Sequence, residues 1–142
     1  MVFRRKRLPA ALEAAHAAFL AAVERLERGK AALTESVPGT RHPGRPLAET
    51  LLRFEEGLHE ADAEMPAWRV PELEREWGGA DEAIRVCLAL AERLRLEAEM
   101  PVGFEALIGT IGDLMAPLET FEAAERRFRA LRAPDVRRRG RP

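Results

Sequence analysis

The sequence predicts an all-α fold, an antiparallel up-and-down four-helix bundle whose fourth helix is kinked near Pro117. Three observations predict it. Apolar residues recur at spacings of three and four, and nothing alternates with a period of two. Proline and glycine cluster at 38–46, 66–71 and 101–103, which divides the chain into four segments. The 142 residues, 46% of them apolar, are one domain's worth of chain with material for a single core.

The first helix is predicted from about Pro9 to Ser36, with Pro9 well placed in its first turn. Its seam is Leu12, Ala15, Phe19, Val23, Leu26 and Leu33, with Leu20 off it. Eight alanines between Ala10 and Ala22 cover nearly its whole circumference, the pattern of a helix buried on all sides. The second helix runs from about Leu47 to Met65 on the unbroken repeat Leu47, Leu51, Phe54, Leu58, Ala61 and Met65. The third begins near Pro71, and its seam reads Leu73, Trp77, Ala80, Ile84, Cys87, Ala91, Leu94 and Ala98. Two adjacent glycines cost about 2 kcal/mol of helix propensity. Because the repeat keeps its phase through Gly78-Gly79, one continuous helix is favoured over a start at Asp81. The fourth spans about Gly103 to Arg132 on Phe104, Leu107, Ile111, Leu114, Leu118, Phe121, Phe128 and Leu131. Pro117 deletes a backbone hydrogen bond there and clashes with the preceding turn, hence the kink.

Four amphipathic helices with short connections make the up-down bundle the default, with residues 9–132 as a single domain between a basic tail at 1–8 and a basic, disordered tail at 133–142. The net charge of −1 conceals an asymmetry. Residues 8–133 hold 15 basic and 23 acidic side chains, a net of −8, while Arg4, Arg5, Lys6 and Arg7 precede them and Arg137, Arg138, Arg139 and Arg141 follow. Up-down order brings both tails to one pole, beside Trp68 and Arg69. The basic start followed by Leu8–Val23 superficially resembles a secretion signal, but Glu13 and His16 interrupt the apolar run. A lone cysteine makes no internal disulfide, and a cytoplasmic location is expected.

There is no Tyr, Asn or Gln, one Ser (Ser36), one Cys (Cys87) and three His, which leaves little for nucleophilic catalysis. Ser36 has no convincing base and ends the first helix, and Cys87 reads as a small core residue. Trp68 and Trp77 read as core or end-cap packing, and Gly103, Gly109 and Gly112 as close packing or looseness near Pro117 rather than a phosphate loop.

Two Glu-x-x-His pairs occur, Glu13–His16 and Glu56–His59. This spacing resembles the metal-ligand signature of the ferritin-like di-iron bundles, in which two helices each supply Glu-x-x-His and two others each supply a Glu. The resemblance implies a metal-binding or oxidoreductase bundle. Helix geometry weighs against it: at roughly 100° per residue both carboxylates point away from their seams, and the pairs sit at heights about 12 Å apart. The other candidate is the 37–46 connection, which presents Arg41, His42 and Arg45 as donors for an anion.

The functional expectation is a non-enzymatic bundle that acts through protein–protein contacts, binds no cofactor and forms a homodimer that absorbs the surplus apolar surface of helix one and of Leu88, Leu90 and Leu96. An unidentified protein partner is expected as well. Nucleic acid or an anionic membrane surface could be met through the basic tails, but an acidic body without aromatic interleaving does not favour it.

Overall fold

A computed structural model describes residues 7–39, 45–98 and 112–132. Four α-helices are present among them: α1 (Ala10–Gly39), α2 (Arg45–Glu64), α3 (Glu74–Ala98) and α4 (Glu119–Leu131). Three 3-10 turns sit between them, at Met65–Trp68, Pro71–Leu73 and Ala116–Leu118. The all-helical class expected from periodicity is therefore found.

Each boundary has a local cause. Pro9 precedes α1, and its carbonyl accepts the Leu12 N–H at 2.8 Å, which closes the first turn. Pro66 and Pro71 each open a 3-10 turn, so the chain turns between α2 and α3 where proline leaves no N–H for a continued α-helix. Glu74 and Glu76 then occupy the first turn of α3, where carboxylates suit the positive end of the helix dipole. Pro117 sits inside the Ala116–Leu118 turn, and the Thr120 hydroxyl donates to its carbonyl at 3.0 Å.

Several expectations shift. The helix runs on through Ser36 to Gly39 and resumes at Arg45, so the connection read as 37–46 shrinks to 40–44, and Ser36 does not end α1. The α3 helix passes through Gly78-Gly79 without a break. The expected start of helix four at Gly103 lies outside the described residues, whose helix resumes at 112–115.

One core joins all the helices. The α2 seam is buried as read at Leu51, Phe54, Leu58, Ala61 and Met65. In α1 the buried residue of the middle turn is Ala22, with Val23 half-buried, so the stripe follows Leu12, Ala15, Phe19, Ala22, Leu26 and Leu33. The alanines do not make α1 buried on all sides: Ala10, Ala11, Ala14 and Ala17 are exposed, because one chain supplies neighbours to only one side of this helix.

The helices pack in chain order, α1 on α2, α2 on α3 and α3 on α4, with the Met65–Trp68 turn also against α1. At the α1–α2 contact Gly57 lies against Arg25, and Phe54 against Gly29. A part-buried ion pair ties α2 to α3: Arg95 donates from Nε to Glu55 at 2.6 Å, and Glu55 is only 7% exposed.

Candidate functional site: the groove between the first and last helices

The first and last helices meet through large side chains rather than through close backbones. Phe19 of α1 packs edge-on to Trp68 (ring centroids 5.0 Å apart) and against Phe128 of α4 (5.1 Å), and Phe121 completes the cluster 6.2 Å from Phe19. Trp68 is fully buried, and its indole Nε1 has no hydrogen-bond partner among the described residues.

Beside this cluster the two helices leave a groove of about 560 Å³. Leu20, Val23, Leu26, Met115, Leu118 and Phe121 give it apolar walls, and Leu20 is 44% exposed. The remaining lining is charged in both signs: Glu27 and Lys30 from α1, and Glu119, Glu122, Glu125, Arg126 and Arg129 from α4. Some of these charges pair within their own helix, Lys30 with Glu27 at 3.4 Å and Arg129 with Glu125 at 3.7 Å. The lining holds hydrocarbon, carboxylates and cations but no hydroxyl, thiol or imidazole. Such a lining can make an apolar contact steered by complementary charge.

The Glu-x-x-His pairs stand in different places. Glu13 is exposed and His16 half-buried, and both line a cavity of about 400 Å³ with Arg7, Leu8, Ala17, Leu20 and Arg132. The His16 ring lies against Phe128, with centroids 4.8 Å apart. Burial pushes the His16 imidazole below its ordinary pKa, the Arg132 charge pushes the same way, and Glu125 acts against both. Glu56 and His59 are exposed on α2, and Glu56 lines a separate cleft with Arg25, Arg28 and Arg53. The structure does not bring the two pairs together. Among the described residues no group of three or more His, Cys, Asp or Glu side chains is placed to hold a metal ion.

The loop candidate is only partly in view. Arg41 and His42 lie outside the described residues, and Arg45 is the first residue of α2 rather than part of a loop. Cys87 is buried, its thiol donates to the Leu114 carbonyl at 3.2 Å, and burial pushes its pKa up to about 11. Trp77 is half-buried and donates from Nε1 to the Met65 carbonyl at 2.8 Å. The Arg69 guanidinium lies 4.2 Å from the Trp77 ring centroid and bonds Glu74 at 2.7 Å, so this cation is engaged. Among the described residues a Cβ at Gly112 would meet nothing within 4 Å; Gly103 and Gly109 lie outside the described residues.

Two features escaped the sequence reading. Gly29 and Gly57 face each other where α1 and α2 cross, and their signal was available as glycines on or beside the apolar stripe of an uninterrupted helix. Arg7 and Arg132 line one cavity from opposite ends of the helical region, although only Arg7 had been singled out. The tails at 1–6 and 133–142 lie outside the described residues, but the positions where they leave the helices share that cavity.

Among the described residues no helix is long and apolar enough to cross a membrane. No protein-family model, no curated protein and no solved structure matches this chain.

Proposed function

We propose that the chain is an antiparallel up-down four-helix bundle, bent near Pro117, that acts by self-association through the α1–α4 groove, as an interaction or regulatory component rather than a catalyst. The antiparallel order is supported by contacts that advance along α1 while retreating along α2, from Arg25 with Gly57 to Gly29 with Phe54. The bend is supported by the Ala116–Leu118 turn, where Pro117 denies the helix a donor.

The observation that carries the function is the groove, with its apolar walls and its lining of four carboxylates and three cations. A two-fold axis places the same surface on both partners, so a self-complementary interface needs both signs on one patch. This lining has them in near balance. The exposed alanines of α1 continue the apolar surface past Leu20 and allow close approach of a second copy's helix. A cytoplasmic site of action fits a chain whose single cysteine is a buried free thiol.

The test is sedimentation of the protein and of Leu20→Glu at high micromolar concentration. The expected outcome is twice the chain mass for the parent and the chain mass for the variant, because a carboxylate at position 20 would be buried unpaired across the interface. A strictly monomeric parent would overturn self-association and leave the groove to a different partner. A Leu20→Glu dimer would place the interface elsewhere.

A further inference from the structure

The cavity where the two ends of the helical region meet holds charged groups that nothing in the dimer proposal uses. Arg7 enters it from the N-terminal segment, His16 from α1 and Arg132 from the end of α4, over an apolar wall of Leu8, Ala17 and Leu20. One carboxylate, Glu13, also lines it. The Arg132 Nε is buried and has no hydrogen-bond partner among the described residues, a costly state for a charged donor.

We infer that this cavity is a binding site for a soluble phosphate monoester, with the oxyanion held between Arg7 and Arg132 beside His16 and the organic body against Leu8, Ala17 and Leu20. The donors come from three elements, and a tetrahedral oxyanion has oxygens to offer in three directions, whereas a carboxylate has two in one plane. Guanidinium groups form charge-assisted hydrogen bonds to phosphate, and two of them, Arg7 and Arg132, line this cavity. Glu13 leaves the site one net positive charge when His16 is neutral, enough to attract a single phosphate group but not a polyanion. The electrostatics agree: Arg132 is a cation whose charge His16 feels. Leu20 also borders the groove, so the site and the proposed interface are neighbours but separately testable.

The experiment is calorimetric titration of the full chain with inorganic phosphate, phenyl phosphate and benzoate, alongside NMR titration of the His16 ring. Phenyl phosphate should bind saturably and several-fold more tightly than inorganic phosphate, with benzoate the weakest. Arg7→Gln and Arg132→Gln should each weaken phenyl phosphate ~10-fold or more, the scale of one lost charged hydrogen bond. Arg53→Gln removes an exposed charge from α2, outside this cavity, and should change nothing. The groups facing His16 are Arg7, Glu13, Glu125 and Arg132, and a bound dianion among them should move its titration midpoint upward. Absence of saturable phenyl phosphate binding up to ~10 mM would overturn the site. So would equal loss in Arg53→Gln, or retention of binding in Arg7→Gln, whose exposed side chain poses no threat to folding.

Discussion

A Cβ added at Gly57 would lie 2.9 Å from the Arg25 carbonyl oxygen, closer than side-chain carbons approach backbone oxygens. The obstacle is helical backbone, so Gly57→Ala can be accommodated only by moving α1 away from α2. Such overpacking costs about 1–3 kcal/mol, against a gain of about 1 kcal/mol from replacing glycine inside a helix. Gly29 is the control on the facing helix: its added Cβ would sit 3.4 Å from Phe54, close to ordinary contact. Urea unfolding should therefore rank Gly57→Ala below both the parent and Gly29→Ala, and equal stability of the two variants would remove the close-approach argument. Other single residues are set by burial in the same way. Cys87 reads as core from its place on the α3 seam, and its raised pKa keeps it as an unreactive thiol. Glu55 stands beside the α2 seam residue Phe54, and nothing in the spacing of charges showed that it would be buried against an arginine 40 positions later. Pairwise partners across helices depend on rotation and height, which periodicity leaves open.

At the level of the helix, α3 carries its weak point at Gly78-Gly79 in exposed and half-exposed positions. Among the described residues a Cβ at Gly78 would meet nothing within 4 Å, and one at Gly79 would stand 3.8 Å from the Thr120 methyl group. Nothing in the structure explains the pair of glycines. Gly78→Ala should therefore stabilise the protein by up to about 1 kcal/mol, and the double alanine variant by up to about 2. A lowered denaturation midpoint in either would show that α3 needs the flexibility. Where the helices lie was largely legible, because an apolar stripe repeats whether or not its neighbours are known. The continuity of α3 was read from Ala80 and Ile84 keeping phase with Leu73 across the glycines. The seam of α1 was misread at one place, Val23 for Ala22, because an alanine-rich helix offers several stripes of similar hydropathy and only the position of the neighbour selects one. The end of α1 was read three residues short, since a proline at position 38 suggests a stop that the backbone does not make.

Across the whole molecule, the proposed up-down order would return the chain to the pole where it began, and a cavity lined by both Arg7 and Arg132 is what that order requires. The groove was not legible. It arises because Phe19, Phe121, Phe128 and Trp68 act as large spacers between α1 and α4, and the thickness of a spacer is invisible in a one-dimensional pattern. Those rings belong to a core that also includes Leu12 and Leu33 of α1, Leu51 and Leu58 of α2, and Ile84 and Leu94 of α3. No helix can leave without exposing the surface that holds the others, so the chain should unfold as one unit. Trp68, at the centre of the ring cluster, and Trp77, at the start of α3, report on packing, while far-UV circular dichroism reports on all the helices. The fluorescence and dichroism melts should coincide. If two chains pair through the groove, mass action adds a second signature: the midpoint rises with protein concentration, and Leu20→Glu abolishes that dependence. Tryptophan signals lost well before helicity would split the core into separate units. A midpoint independent of concentration in the parent would confine the cooperativity to one chain and detach it from the groove.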